Sequence, residues 1–505
     1  MSASVADALC AENAVERDLA VIDIGSNTVR LVHFRLEGRA LWPIFNEKVT
    51  AGLGRAVGET GKLHPGGVET AMRALKRYAG LLDAKHVSER YAVATAAVRN
   101  ADDGPAFCAQ IKAETGFDVR VLSGAEEAMI SALGVSAGIP HATGLAGDLG
   151  GSSLELTPLD DGVVGIGESH ALGPLSVPQA VMADPAALPA HVDAILKTAE
   201  ALKAKGQTFY AVGGAWRALA QLAMVANDHP LRVSHQFELS QAEATKVANL
   251  AARSSIASLS GIDGIASRRA AQLPYAGLLL KRIMAMGGFK RVVFSSYGVR
   301  EGVVFEQMSQ ALRDVDPLIS GAEALARNAA PSPSFGRAVA NWIEPVFAAS
   351  GEVFGARGPW LRATASRLAD LGSRLHPDHK ADLASDLVMY APFAGLTHPE
   401  RAFLALAIYH RYAGKSAPES SRVVERLLND EQRKRAMAIG LALRLGAAVS
   451  GRSEPLLAKF TLARRDETLV LEMPEAESEL MVERAQMRFE SLANALGLTP
   501  QTVIV

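Results

Sequence analysis

Cysteine is nearly absent: Cys10 and Cys108 are the only two in 505 residues. That excludes a disulfide framework and a thiolate zinc site, and it points to a reducing compartment. No run approaches the ~18 apolar residues of a membrane span, and the N-terminal Met-Ser-Ala-Ser-Val-Ala-Asp lacks the basic start and apolar core of a secretory leader. A soluble cytoplasmic protein with no membrane partner is the expectation. Charge of one sign is also missing, since a net charge of −2 excludes a protein that coats nucleic acid by bulk attraction. Nucleic acid is therefore not an expected partner, and a polyanionic substrate would need a local basic patch. What is present is globular usage, 49% apolar and 21% charged residues without low-complexity blocks, and the length predicts about three domains.

The chain is organised around a stretch that it contains twice. Asp148-Leu149-Gly150-Gly151-Ser152-Ser153-Leu154-Glu155-Leu156 matches Asp23-Ile24-Gly25-Ser26-Asn27-Thr28-Val29-Arg30-Leu31 in residue type at nearly every position. Each copy is an Asp, an apolar residue, a Gly and three small or hydroxyl-bearing residues between strand-like flanks. A turn of Gly and Ser lets backbone N–H groups approach an anion closely, and Ser and Thr hydroxyls add donors. An ionised Asp only accepts, so beside a phosphate it needs a bridging cation or a water. Either stretch alone is equally explained as turn chemistry; two, one from each half of a duplicated structure, would face each other across a cleft. Neither is a Walker-type P-loop, because the Gly-Lys-Ser/Thr end is missing and the following residues alternate like a strand.

In chain order, residues 1–17 read as a loose tail. Residues 18–135 and 136–312 each alternate strands and helices as mixed α/β domains. Residues 313–452 show helical spacing almost throughout, and 453–505 read as a small α+β tail containing a hairpin around Arg465-Asp466-Glu467. Within the first half, a stretch that begins as a buried strand at Tyr91 ends on a small-residue turn with Arg99, which is either a solvated loop residue or a phosphate clamp. Ser123 and Glu126 form a capping box at the start of a helix, which accounts for Glu126 and leaves Glu127 over. A carboxylate placed like Glu127 could deprotonate an attacking water. Gly213-Gly214, between a strand and a helix start, is a third backbone-donor site. In the helical part the basic residues cluster, as Arg374, His376, His379 and Lys380 and as Arg422, Arg426, Arg433, Lys434 and Arg435. Singly these are helix faces in water; as groups they could form a polyanion track.

Five separated motifs in one order, Asp23 to Arg30, Ala94 to Arg99, Ser123 to Ala128, Asp148 to Glu155 and Gly213 to Leu219, with Gly298 to Gly302 closing the region, carry a resemblance. The chain resembles the exopolyphosphatase and guanosine pentaphosphate phosphohydrolase family, of the actin-like ATPase superfold. The resemblance implies two duplicated actin-like (ribonuclease H-like) α/β domains around a cleft, followed by a helical His-Asp-like third domain. It implies that Glu127 is the general base, that Asp148 and Glu155 are catalytic acidic groups beside it, and that Asp148, Glu155 and Asp23 hold Mg²⁺. It implies phosphate binding by Ser26, Asn27, Thr28 and Arg30 of the first loop, by Gly150, Gly151, Ser152 and Ser153 of the second, and by Arg99, Gly213 and Gly214. The sequence departs from the family at Ser152, where many members have a third Gly, and at Ala369 of Leu368-Ala369-Asp370-Leu371-Gly372, where the His-Asp fold has its metal-binding His. The implied substrate is inorganic polyphosphate, hydrolysed at its terminal phosphoanhydride, with guanosine pentaphosphate as the alternative. An actin-like kinase and a non-catalytic polyphosphate or alarmone sensor are the readings from other classes, and a homodimer is the implied assembly.

Overall fold

The computed structural model describes residues 16–203, 206–348, 351–416 and 421–505. They fall into two compact units, one through Pro317 and one from Leu318 to Val505. Among the described residues no helix is long and apolar enough to cross a membrane.

The first unit is built on two sheets of one plan. Strands β1 (Glu16–Ile24), β2 (Thr28–Glu37) and β3 (Ala40–Thr50) run antiparallel in sequence, and β4 (Glu89–Ala94) and β5 (Val119–Val121) add in parallel, giving the order β3-β2-β1-β4-β5. The second sheet repeats this with β6 (Gly144–Leu149) antiparallel to β7 (Leu154–Asp160), β10 (Thr208–Val212) parallel to β6 and β12 (Arg291–Phe294) parallel to β10. Short strands β8 (Val163–Val164) and β9 (Glu168–His170) pair with β7, and β11 (Glu238–Ser240) closes the far edge. The central strands are buried on both faces, as Leu19-Ala20-Val21-Ile22 and Phe209-Tyr210-Ala211-Val212 require of a sheet covered by helices. Helices α1 (Pro65–Ala84) and α2 (Gly104–Thr115) pack Leu75, Tyr78, Phe107 and Ile111 on one face of the first sheet. Helix α3 (Gly124–Gly138) covers the other face through Ile130. In the second half α4 (Gly214–Ala226) buries Trp216, whose indole Nε1 donates to the Ala276 carbonyl at 3.0 Å. Helix α5 (Val299–Glu306) follows β12 and packs Val303 and Val304 beside Ile130 of α3.

The second unit is helical, with α6 (His398–Ala413), α7 (Asp430–Ser450) and α8 (Glu483–Leu496) among its helices. It ends in a small sheet of β13 (Thr461–Arg465), β14 (Thr468–Met473) and β15 (Thr499–Ile504), in that order. The fold class expected from the sequence, two duplicated α/β halves followed by a helical part with a small α+β tail, is the one observed.

Differences are local. Most of the expected tail over 1–17 lies outside the described residues, but Glu16 and Arg17 already belong to β1, where Arg17 Nε donates to Glu89 of β4 at 2.6 Å. Helix α1 starts at Pro65, where His64 caps it, its Nδ1 accepting from the Gly67 amide at 3.1 Å. In the second half a helix over Ala187–Leu196 is followed by a 3-10 turn over Glu200–Lys203.

Helices α3 and α5 approach so closely that their backbones touch through glycine. A Cβ on Gly302 would fall inside the Ile130 carbonyl, and one on Gly134 inside the carbonyl of Gly298. Since α3 carries Glu127 and α5 carries Arg300, this contact sets the spacing of two charged groups. We expect Gly302→Ala to cost about 1–3 kcal/mol of stability through overpacking, read as a lower urea midpoint; an unchanged midpoint would show that the helices can part freely.

Candidate active site

The duplicated loops close with the same hydrogen bond: the Gly25 amide donates to the Thr28 carbonyl and the Gly150 amide to the Ser153 carbonyl, both at 2.9 Å. Each is backed by a neighbouring turn. Ala51, Gly52 and Gly54 amides donate to the Asn27 and Ser26 carbonyls, while Leu175 N and Ser176 Oγ donate to those of Gly151 and Ser152. The loops meet, since a Cβ on Gly151 would lie 3.3 Å from Ser26 Cβ. Ser152 thus contributes its backbone to the loop's support, which a side chain does not disturb.

Strand register turns the repeat into two rows of side chains. In the first sheet Asp23, Arg30 and Lys48 are cross-strand partners on β1, β2 and β3. In the second Asp148, Glu155 and Ser169 hold the same relation on β6, β7 and β9. Direct partners point to one face. Both rows contribute to the wall of a single cavity of about 450 Å³, Asp23, Arg30 and Lys48 from the first and Asp148 and Glu155 from the second. At equivalent positions, then, one row carries Arg30 and the other Glu155.

The acidic side is crowded. Ser123 and Glu126 form the expected capping box, the Ser123 amide donating to Glu126 Oε2 at 2.8 Å, and these bonds with Arg120 hold the Glu126 carboxyl down at about 2. One residue on, Glu127 is buried and accepts from Arg99 Nη1 at 2.8 Å. Burial pushes its carboxyl up to about 7 against the pull of Arg99, and the charges of Asp148 and Asp23 add to the push. Asp148 accepts from Ser131 Oγ at 2.5 Å and is also raised, by burial first. Glu155 accepts from Ser169 Oγ at 2.9 Å; burial, and then the charges of Glu127 and Asp148, drive it well above the usual carboxylate range.

The basic side is crowded in the mirror sense. Burial and then Arg269, Arg30, Arg217 and Arg300 push the Lys48 ammonium down to about 8. Arg30 and Arg217 are each lowered to about 10 by burial and by the neighbouring guanidinium of Arg300. Arg300 Nη1 pairs with Asp23 Oδ2 at 2.9 Å, yet the Nε atoms of Arg217 and Arg300 are buried donors without a hydrogen-bond partner. Orphaned cationic donors facing a cavity fit a multivalent anion.

Of the residues singled out from the sequence, Asp23, Ser26, Asn27, Thr28, Arg30, Glu127, Asp148, Gly150, Gly151, Ser152, Ser153, Glu155, Gly213 and Gly214 line the cavity. Gly213 has φ +112°, and a Cβ there would press on the Leu149 carbonyl, so only glycine serves. Arg99 is not on the wall; it stands behind Glu127, its Nη1 also donating to the Leu122 carbonyl at 2.7 Å. Arg217 and Arg300 lie within motifs that carry the resemblance, but nothing in their local sequence marks them as cleft residues. Lys48 has no local signal either, because only the pairing of β3 with β2 brings it beside Arg30.

Residues 33–311 match the model of the Ppx/GppA phosphatase family, and residues 318–503 match the exopolyphosphatase C-terminal family. The chain belongs to the Ppx/GppA phosphatase family. Exopolyphosphatase 1 of Mycobacterium tuberculosis is 30% identical over 142 residues, 28% of this chain, and the match spans 41% of that relative's length. Retrograde regulation protein 2 of Saccharomyces cerevisiae is 24% identical over 461 residues, 80% of this chain and 74% of its own. Among solved structures, the Aquifex aeolicus Ppx/GppA family member superposes with TM-score 0.52 at 24% identity, covering 58% of this chain and 100% of its own. An exopolyphosphatase from Cytophaga hutchinsonii gives 0.53 at 22% identity, over 59% and 99%. At such identities these structures establish a shared actin-like fold.

Magnesium is the cofactor the family implies. Among the described residues no group of three or more His, Cys, Asp or Glu is arranged to hold a metal ion unaided. Mg²⁺, however, commonly takes one or two carboxylates and completes its shell with water and substrate phosphates. Asp148 and Glu155 fit that donor set, and the mutual repulsion that raises Glu155 is what a cation would offset. Asp23 has one oxygen engaged by Arg300.

The strain in this cluster has a sign. A carboxyl raised on folding costs stability at pH above its unfolded value, and the cost grows until its folded value is reached. We expect Glu155→Gln to raise Tm at about pH 8, the gain shrinking as pH falls toward the ordinary carboxylate range near ~4.3; a lowered Tm at both extremes would mean that the charge is compensated.

Proposed function

We propose that this chain hydrolyses the terminal phosphoanhydride of inorganic polyphosphate, releasing orthophosphate. The observation that carries the reading is the opposition of the two rows in a single cavity, Asp148 and Glu155 on one and Arg30 and Lys48, beside Asp23, on the other. A polyanion entering such a cleft is held by Arg30, Lys48, Arg217 and Arg300 while its reacting end meets the acidic side. The chain spans under half the length of the curated mycobacterial relatives it matches.

Loop amides and the hydroxyls of Ser26, Thr28 and Ser153 bind the terminal phosphate oxygens. Glu127, poised at about 7 by burial, takes a proton from water as the water oxygen attacks phosphorus; the bond from phosphorus to the bridging oxygen breaks. Negative charge gathers on that bridging oxygen, and the cationic row stabilises it on the shortened chain. Arg99 fixes the orientation of the Glu127 carboxylate through the 2.8 Å contact and limits how far its proton affinity rises. Asp148 and Glu155 are the residues that would hold Mg²⁺, with Asp23 the third candidate. When bound, the ion supplies charge neutralisation for the phosphate oxygens and for the acidic cluster.

The test is phosphate release, with Mg²⁺, from long-chain polyphosphate, short-chain polyphosphate and guanosine pentaphosphate in parallel. We expect release from polyphosphate, and a fall in kcat of about 10²–10⁴-fold in Glu127→Gln with KM little changed. Release from the nucleotide alone would move the function to alarmone turnover. Near-normal turnover in the variant would remove Glu127 from the chemistry.

A further inference from the structure

Helix α3 turns two polar side chains toward the acidic side of the cleft, and the reaction described above uses one of them, Glu127. The other is Ser131, four residues on and therefore on the same face of the helix. It is 3% exposed and stands behind the cavity wall rather than on it.

A serine buried in a helix can satisfy its hydroxyl locally, by donating to the carbonyl four residues back. Ser366 and Ser450, both buried, do so in the second unit, at 2.9 Å to the Arg362 carbonyl and 2.7 Å to that of Gly446. Ser131 does not. A hydroxyl has one proton to give, and Ser131 Oγ gives it to Asp148 Oδ2 at 2.5 Å, across from α3 to the end of β6.

The surroundings hold that bond in place. A Cβ on Gly298 would lie 3.6 Å from Ser131 Oγ and 3.5 Å from Asp148 Oδ2, so the bare backbone of Gly298 lies beside the pair. Three residues further along α3, Gly134 abuts the carbonyl of that same Gly298. The helix is thus seated against this loop at both Ser131 and Gly134. On the other side of the carboxylate, a Cβ on Gly213 would meet Asp148 Oδ1 at 3.2 Å, and Gly213 is on the cavity wall. The two oxygens of Asp148 therefore have different settings, Oδ2 behind the wall at Ser131 and Oδ1 at the wall. Among the described residues Ser131 is the one hydrogen-bond donor to Asp148, whereas Glu155 has the hydroxyls of both Ser153 and Ser169 beside it.

We propose that Ser131 is a positioning residue for the reaction in the cleft: by holding Oδ2 it aims Asp148 so that Oδ1 is left for a divalent cation. Because Ser131 and Glu127 share α3, the same bond sets the spacing between Asp148 and the base. The inference rests on the hydrolysis proposed above. Hydrogen-bond partners that orient metal-binding carboxylates commonly contribute about 10–100-fold in metal affinity or activity.

The experiment titrates the full chain with Mn²⁺, followed by electron paramagnetic resonance in the absence of substrate, with Mg²⁺ as competitor. Phosphate release from polyphosphate is measured in parallel. Ser131→Ala should weaken Mn²⁺ binding by about tenfold or more. Its kcat should fall at limiting metal and recover at high metal, while KM for polyphosphate, set by the cationic row, stays within about twofold. Ser131→Thr keeps the hydroxyl and should bind Mn²⁺ as the natural chain does. Unchanged Mn²⁺ affinity in Ser131→Ala, whatever its Tm, is the result of a merely structural hydroxyl and would overturn the proposal. So would a Thr variant as weak as the Ala variant, or a natural chain that takes up no Mn²⁺. A natural chain that binds Mn²⁺ through Ser131 yet releases no phosphate would count against the hydrolysis alone, since the titration contains no substrate.

Discussion

Burying like charges together is the constraint on which the first unit depends. Glu127, Asp148 and Glu155 share one side of a cavity, and each is raised by burial, with the charges of Asp148 and Asp23 adding to it for Glu127 and those of Glu127 and Asp148 for Glu155. Arg30, Lys48, Arg217 and Arg300 share the other, and Lys48, Arg30 and Arg217 are lowered for the complementary reason. Neither arrangement lowers the energy of the empty protein. A multivalent anion would offset the repulsion on the basic side and a cation that on the acidic side, as the proposed reaction requires. The scaffold that enforces the arrangement is the duplicated sheet, whose register brings Asp23 beside Arg30 and Lys48, and Asp148 beside Glu155.

The duplication also explains what is legible in the sequence. Loop chemistry is local, so Asp23 to Arg30 and Asp148 to Glu155 can be recognised as copies, and the same Gly-to-loop-carbonyl hydrogen bond closes both. The capping box at Ser123 is equally local, and residue spacing alone separates Glu126 from Glu127. What is not legible depends on pairing between distant segments. Lys48 sits in a strand with no phosphate-like signature, and Ser131 and Ser169 read as ordinary polar residues until α3 and β9 bring them to Asp148 and Glu155. Arg99 is legible as a charged residue in the turn after a strand, but its alliance with Glu127 depends on how α3 enters the first sheet.

The helical part gives a similar lesson. The basic runs visible in the sequence, around Arg374 and from Arg422 to Arg435, are clustered along the chain, whereas Arg411, Arg444, Arg484 and Arg488 come from three helices, the one carrying Arg444 packed against the other two. Charges that are adjacent in sequence spread around a helix, and the density that matters for an anion comes from separate helices converging.

The most direct test of the central claim is the pH dependence of kcat/KM for phosphate release from polyphosphate, in the natural chain and in Lys48→Met. Glu127 must lose its proton to accept one, so the rate should climb as pH rises through about 7; Lys48 must keep its proton to hold a phosphate, so the rate should decline beyond about 8. The account predicts a narrow bell whose alkaline limb disappears in Lys48→Met. A flat profile, or an alkaline limb that survives the substitution unchanged, would contradict it.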